Sequence, residues 1–135
     1  MTKPETSRAR RRQATRIMPA FNGLTLSEPF TCPNCHQHYG QVIQFTYGYV
    51  RQIDYEIGDT IVWEFGPPDD EGVPEAGRVY VEAILEGACS HCGRLLPWPR
   101  SAFEIELRKD AIVAARPGIH HMTHTREDRW VVAEP

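Results

Sequence analysis

The chain has 135 residues and a formal net charge of −3, and 41% of its residues are hydrophobic. This length suits one domain with a modest core, and no segment approaches the roughly 20 apolar residues that span a membrane. The basic N-terminus is not followed by an apolar stretch, so we expect no secretory signal and a cytoplasmic location. The 11 prolines and 10 glycines favour short elements joined by many turns.

Charge divides the chain into two parts. Residues 1–19 carry six basic side chains and one acidic side chain, whereas the rest of the chain carries nine basic and 17 acidic ones. The first part also lacks apolar periodicity, which predicts a basic disordered arm. We therefore predict a single domain over residues 20–135, entered through an irregular lead-in whose apolar residues pack onto the core.

Period-two alternation of apolar residues predicts strands through the middle of the chain. The first strand begins at Gln41, and its buried face is expected to hold Ile43, Phe45, Tyr47 and Tyr49. A second strand is predicted over residues 57–65, with Trp63 on its apolar face. The composition of residues 66–77 indicates a loop, and residues 78–87 alternate again as a third strand.

The C-terminal part of the sequence predicts a β-hairpin over residues 103–118. Phe103, Ile105 and Leu107 alternate with charged residues, and Lys109-Asp110 falls at the turn. The turn type stays open because type I′ turns prefer Asn-Gly or Asp-Gly. A further short strand is predicted at 130–132. The fold class is therefore mainly β, with a small antiparallel sheet and a C-terminal β-hairpin.

Four cysteines form two C-x-x-C pairs separated by 53 residues, and no cysteine is left over. Zinc prefers four soft ligands in a tetrahedron, and two such turns supply two sulfurs each. One structural Zn²⁺ is therefore predicted. A c-type haem, a redox pair and two disulfides remain alternatives. They are disfavoured by the absence of an export signal, by strand patterns after the first pair, and by the presence of two pairs. The predicted metal ligands are Cys32, Cys35, Cys89 and Cys92.

The two cysteine pairs resemble the knuckles of a zinc ribbon. The second pair reads CSHCG, in which Gly93 occupies the usual glycine position, whereas the first reads CPNCH and places His36 there. The resemblance covers residues 31–93 and extends to uncharacterised small bacterial proteins with a long insert between their knuckles. It implies that a four-cysteine zinc ribbon closes the sheet. It implies little about function, since ribbons bind nucleic acids, bind proteins or serve only as structural staples.

No sequence feature gives firm support to catalysis. A zinc ion held by four cysteines has no open position for water, and the sequence contains none of the common hydrolase or phosphate-binding motifs. We therefore expect that the protein is not an enzyme. The cluster of His120, His121 and His124 has two interpretations. It could bind a metal together with Asp128 if helical, or it could be a polar, partly exposed C-terminal segment, which we favour.

The acidic body of the chain predicts a protein-binding module for a basic partner. Small acidic bacterial proteins of this size commonly serve as immunity proteins, so a cognate toxin is one candidate partner by analogy of size and charge. The predicted partner-binding residues are Asp69, Asp70, Glu71, Glu75, Glu82, Glu86, Glu104 and Glu106.

Nucleic-acid binding is the alternative function. The basic arm could neutralise phosphates, and Tyr47, Tyr49 and Tyr55 could stack on bases. The acidic body opposes this hypothesis because it would repel a phosphate backbone. The candidate residues of the arm are Arg8, Arg10, Arg11, Arg12 and Arg16.

Overall fold

The computed structural model describes residues 21–39, 42–122 and 129–135, together with the backbone of residues 10–11. All regular structure in this part of the chain is β, which confirms the predicted fold class. None of the residues described forms a helix long and apolar enough to cross a membrane. The strands are β1 Arg10–Arg11, β2 Asn22–Thr25, β3 Phe30–Thr31, β4 His38–Tyr39, β5 Val42–Phe45, β6 Ile53–Glu56, β7 Arg78–Leu85, β8 Ala102–Arg108, β9 Ala111–Pro117 and β10 Trp130–Glu134.

Eight of the strands form one sheet in the order β1-β6-β2-β5-β7-β8-β9. The remaining strand of this sheet, β10, pairs with the first half of β7, while β5 pairs with the end of β7. The pair β2–β6 is parallel and the other pairs are antiparallel, so the sheet is mixed. The sheet is therefore antiparallel, as predicted, except at this one pair. Strands β3 and β4 form a separate two-stranded ribbon at the first cysteine pair.

The sheet curls because residues that follow β6 bond to the start of β9. The N–H of Gly58 donates to the Ile112 carbonyl at 2.8 Å, and the N–H of Ile112 donates to the Asp59 carbonyl at 2.9 Å. Since β6 and β9 lie near opposite edges of the sheet, these bonds draw the two edges together. The first residues of β9 lie in this closure, and the strand then continues past it.

Predicted strand faces form the core. The alternating apolar residues of β7 and β8, which were expected to face the core, are buried. Ile43 and Phe45 on β5 and Tyr47 just after it are buried as well. The half-buried Trp130 packs against Tyr47 with a ring separation of 6.0 Å, and this contact ties the C-terminal strand to the core. The buried residues of β7 and β8 are Val79, Val81, Ala83, Leu85, Phe103, Ile105 and Leu107.

The strand predicted over residues 57–65 is absent and a strand missed in the sequence lies just before it, at β6. Gly58 has a φ of 100°, which turns the chain immediately after β6. The buried carboxylate of Asp59 accepts the N–H of Glu56 at 2.8 Å and fixes this turn. Only an isolated bridge between Thr60 and Ala111 remains of the predicted strand.

The predicted irregular lead-in contains strand β2, and the buried Asn22 explains its position. The side-chain amide nitrogen donates to the carbonyls of Tyr47 and Tyr49 at 3.1 and 3.2 Å. The amide oxygen accepts the N–H groups of Arg51 and Ile53 at 3.3 and 3.0 Å. One side chain thus satisfies four backbone groups in the connection from β5 to the start of β6.

The hairpin of β8 and β9 is confirmed, and its turn is of the I′ kind. Lys109 and Asp110 have φ values of 46° and 70°, the left-handed conformation that both central residues of a type I′ turn require. Asp110 is buried, and its carboxylate accepts the Trp63 indole N–H at 3.0 Å and the Glu75 N–H at 2.9 Å. Burial raises the pKa of Asp110, against the effect of these two donors.

The predicted arm over residues 1–19 lies outside the described residues except for β1. The backbone of Arg10–Arg11 pairs antiparallel with Ile53–Asp54 on β6. The disorder of the arm and the domain boundary at residue 20 stay predictions.

Candidate functional site

The four cysteines come together between the two C-x-x-C turns. All four sulfur atoms lie within 4.8 Å of one another, and none of the cysteines forms a disulfide. The Sγ atoms of Cys32 and Cys92 are 3.9 Å apart, and those of Cys35 and Cys89 are 3.6 Å apart. A tetrahedron with metal–sulfur bonds of about 2.3 Å has sulfur–sulfur edges of about 3.8 Å. The cysteines therefore form a group that could hold a metal ion.

Both knuckles have the same local geometry. The N–H groups of Asn34 and His91 each approach the sulfur two residues earlier, Cys32 and Cys89, at 3.4 Å. Four residues after each first cysteine, an N–H donates to the cysteine carbonyl at 2.8 Å. The N–H groups of Asn34 and His91 orient the sulfurs, as supporting hydrogen bonds do at metal sites, while the bonds to the cysteine carbonyls close each turn.

The thiols differ in acidity. Burial raises the pKa of Cys89, but the N–H groups of Cys92 and His91 act more strongly together with the neighbouring thiols, and the net result is a pKa of about 6. The Gln37 backbone lowers the pKa of Cys35, yet burial and hydrogen bonds with the other three cysteines raise it to about 11. The backbone donors around Cys89 thus favour its thiolate form.

His36 adopts the conformation of a glycine in the first knuckle. Its φ is 63°, against 72° for Gly93 at the matching position of the second knuckle. A left-handed non-glycine residue costs about 1 kcal/mol or more. The departure of the first knuckle from the usual sequence therefore changes its strain and leaves its geometry intact.

We expect His36→Gly to stabilise the protein by about 0.5–1 kcal/mol, because glycine relieves this strain at a cost in chain entropy. Gly93→Ala should have the opposite sign, since it introduces the same strain into the second knuckle. Denaturant unfolding of the metal-loaded protein measures both. Equal stability of His36→Gly and the parent protein would contradict the conformational argument.

The structure separates the predicted acidic surface into two groups. Asp69, Glu71 and Glu75 are exposed on the loop, and Glu82 and Glu86 are half-buried on or next to β7. The prediction is wrong for three further residues, which are buried and accept internal hydrogen bonds, so that they offer no surface to a partner. These three are Asp70, Glu104 and Glu106.

Asp70 holds the first part of this loop. Its Oδ2 atom accepts the N–H groups of Glu64, Phe65 and Gly66 at 2.7, 2.9 and 3.0 Å. The N–H of Asp70 itself donates to the Gly66 carbonyl at 3.0 Å. The Asp70 carboxylate therefore fixes the backbone of residues 64–66.

The rest of the loop is anchored to the core by buried side chains. The Tyr47 hydroxyl donates to the Val73 carbonyl at 3.0 Å and accepts the Val73 N–H at 3.1 Å. Asp110 accepts the N–H of Glu75, and Glu71 forms a β-bridge with Gly48. Gly72 packs so closely on the Tyr47 ring that a Cβ there would lie 2.2 Å from it. Residues 64–75, which we name the acidic loop, thus have one defined backbone shape.

Glu104 organises the segment that carries two of the three C-terminal histidines. It is fully buried, and its Oε2 atom accepts the N–H groups of His120, His121 and Met122 at 2.7–3.0 Å. Its Oε1 atom lies 2.6 Å from Nδ1 of His121, whose ring stacks on Tyr80 at 3.9 Å. These donors lower the pKa of Glu104 although burial raises it.

The histidines do not form a metal site within the described residues. The His120 ring contacts the Pro117 carbonyl at 2.8 Å, and His121 bonds to Glu104. His124 and Asp128 lie outside the described residues. Among the residues described, the four cysteines are the only group of three or more His, Cys, Asp or Glu side chains placed closely enough to hold a metal ion.

Glu106 belongs to a charge network on the outer face of the hairpin. Its carboxylate lies 2.9 Å from Arg108 and 2.9 Å from Arg116, and Arg78 follows at 3.8 Å. These charges lower the pKa of Glu106 against the effect of burial. Arg108 lies two residues after Glu106 on β8, and Arg116 reaches Glu106 from β9, although in the register it pairs with Glu104.

The tyrosines proposed for nucleic-acid binding do not form a stacking surface within the described residues. Tyr47 and Tyr55 are buried in the core, so they cannot stack on bases. Tyr49 is half-buried against Phe65. Of the arginines of the arm, only the backbone of residues 10–11 is described.

Comparison with protein-family models, with curated proteins and with solved structures finds no match for this chain.

Proposed function

We propose that this protein is a non-catalytic, zinc-stabilised binding module that docks a basic partner protein through the acidic loop. The observation that carries the proposal is the fixed shape of this loop, which presents an exposed aromatic side chain among carboxylates. Long loops without regular structure that are nevertheless ordered are frequently functional.

Zinc is the metal that fits the cysteine cluster best. The donor set is four thiol sulfurs at tetrahedral separations, and thiolates favour Zn²⁺ over the harder divalent cations. Four thiolates would neutralise the ion and leave a formal charge of about −2, which adds to the acidity of the body. They would also fill the coordination shell, so the role assigned to zinc is structural.

Phe65 has the features of an interface anchor. Its side chain is 64% exposed, and its ring contacts Tyr49 edge-on with a centroid separation of 5.8 Å. Val73, also exposed, and the carboxylates of Asp69 and Glu71 lie on the same loop. Aromatic anchors surrounded by polar groups commonly carry much of the energy of an interface.

The backbone of the loop needs little ordering on binding. Its N–H groups are held by Asp70, Tyr47 and Asp110 before any partner arrives. Preorganisation of this kind raises affinity because less conformational entropy is lost in the complex. The exposed carboxylates would accelerate encounter with a basic surface and make the association rate sensitive to salt.

A toxin with a basic active site is one class of partner with this chemistry, and the protein would then serve as its immunity protein. A basic partner without toxic activity is the other class. A toxicity assay distinguishes them: co-expression with the parent protein should restore growth in the first case and leave it unchanged in the second.

The test is affinity purification from the native cells, followed by titration of the captured partner with variants. We expect Phe65→Ala to weaken binding about tenfold or more, since a truncated anchor costs at least about 1.4 kcal/mol. Leu95→Ala is the matched control, because Leu95 is 70% exposed but follows the second knuckle, outside the loop.

Equal effects of the two substitutions would contradict the role of the acidic loop. A complex that survives Phe65→Ala but is lost on deletion of residues 1–16, together with bound nucleic acid, would support the alternative function of the basic arm instead. Metal analysis of the same preparation tests the zinc separately.

A further inference from the structure

Strand β9 has an open edge over its second half. The N–H of Gly118 donates to the Ala102 carbonyl at 2.8 Å, and the register then pairs Arg116 with Glu104. In an antiparallel ladder the hydrogen-bonded pairs alternate with non-bonded ones. Ala115 therefore directs its N–H and C=O away from β8. Within the described part of the chain no backbone group bonds to them, because the closure by residues 58–61 ends at Ile112.

An apolar groove of about 560 Å³ lies along this edge. Its opposite wall is the chain between β2 and the first knuckle, and Phe30 and Phe103 meet in it edge-to-face with ring centroids 5.7 Å apart. Among the side chains that line it, Glu28 carries the only formal charge. The lining from β9 consists of Val113, Ala114, Ala115 and Pro117.

We propose that this groove binds an extended peptide segment of a partner protein, which adds to β9 as a further strand. The segment has apolar side chains at alternate positions and a lysine or arginine beside Glu28. This site is independent of the acidic loop and does not require the proposed docking through Phe65.

The open edge specifies a polypeptide as the occupant. An unpaired N–H and C=O on a strand are matched by the backbone of an extended chain, which gains affinity from the ladder and specificity from side-chain pockets. The small side chains of Ala114 and Ala115 permit close approach of that backbone. Val113, exposed at the irregularity in β9, and the apolar wall contribute apolar area.

Two features argue for a short segment over edge-to-edge pairing with a second copy. Pro117 has no N–H and ends the edge on one side, and the shift of register after Glu106 interrupts it near Val113. Natural sheets use proline and bulges to prevent continuous pairing between molecules. The lone carboxylate of Glu28, with no cation in the lining, is complementary to a basic side chain.

The test is selection from a displayed library of short random linear peptides against the full chain with its metal. We expect enriched peptides to alternate apolar residues and to carry a basic residue. Ala115→Pro should weaken them about tenfold, since it removes the outward N–H and spares the ladder to β8. Glu28→Gln should weaken basic peptides more than variants of those peptides in which the basic residue is replaced by glutamine.

The control lies in the peptide itself. N-methylation of peptide residues whose backbone N–H points toward β9 should abolish binding. N-methylation of the intervening residues, whose N–H points away from β9, should leave binding intact. Failure to enrich any peptide, or enriched peptides that bind Ala115→Pro as tightly as the parent protein, would overturn the proposal. Thermal melting of Ala115→Pro verifies that the variant is folded, and Phe65→Ala should leave peptide binding unchanged.

Discussion

Cys89→Ser is expected to unfold the protein or to lower its free energy of unfolding by several kcal/mol. The Cys89 sulfur is buried and lies 3.6 Å from that of Cys35. Its loss therefore removes one of the four ligands from the buried side of the proposed metal site. Structural zinc supplies about 10 kcal/mol or more in small finger peptides, and a domain with its own core should lose part of that. Metal analysis should find one zinc per parent chain, and the melting temperature should fall when this zinc is lost.

Ser90→Ala is the matched control, because Ser90 is exposed in the same knuckle between two ligands. It should melt with the parent protein and retain its metal. Removal of metal from the parent protein by a strong chelator should reproduce the effect of Cys89→Ser. A parent protein that holds no metal, or a Cys89→Ser variant with unchanged melting, would refute the structural role of zinc.

Glu104→Gln has the second largest expected effect, a loss of about 3 kcal/mol in the free energy of unfolding. The fully buried carboxylate accepts backbone N–H groups of His120, His121 and Met122 and faces Nδ1 of His121. Glutamine keeps the shape but replaces one acceptor by a donor, which leaves buried donors without a partner. Chemical denaturation at pH 7 measures the loss, and amide exchange should accelerate at residues 120–122.

The effect of Glu104→Gln should depend on pH in a defined direction. The pKa of Glu104 is lowered in the folded protein, whereas the unfolded value is about 4.3. The stability contributed by the carboxylate is therefore complete above about pH 4.3 and is lost as the pH falls through the folded-state pKa. The difference between parent and variant should shrink in acid.

Glu82→Gln provides the comparison for Glu104→Gln, since Glu82 faces Glu104 across β7 and β8 and is half-buried. Its Oε2 atom accepts the Trp98 indole N–H at 3.1 Å, a bond that glutamine can also accept. We expect a change below about 0.5 kcal/mol. Comparable losses for the two variants would mean that the hydrogen-bond network of Glu104 is not what stabilises the segment.

Sequence patterns predicted the long strands because burial alternates there with period two. The alternating apolar residues of β7 and of the β8–β9 hairpin match the observed strands. The spacing of the cysteines alone predicted that Cys32 and Cys89 belong to one cluster. The four residues of β2 gave too short a pattern to recognise. The strand predicted after Gly58 failed because a left-handed glycine and the side chain of Asp59 turn the chain there.

Charge was a poor guide to the surface. Glu104 and Glu106 alternate with apolar residues and were assigned to solvent, but the sequence gives no sign that residues 120–122 or Arg116 cover them. Asp70 was similarly assigned to a polar loop, although it is the acceptor that shapes that loop. Buried carboxylates that receive several N–H groups depend on contacts distant in sequence, which composition and periodicity do not encode.

The side chain of Asp110 sets an order on the folding of the protein during synthesis. The acidic loop takes its shape partly from this residue, which receives the N–H of Glu75 and the indole of Trp63. On the ribosome the loop emerges first, and its acceptor follows 35 residues after Glu75. The end of the acidic loop at Glu75 therefore gains this acceptor only after the hairpin turn has left the exit tunnel, so a nascent chain truncated before Asp110 should engage the partner more weakly than the full chain.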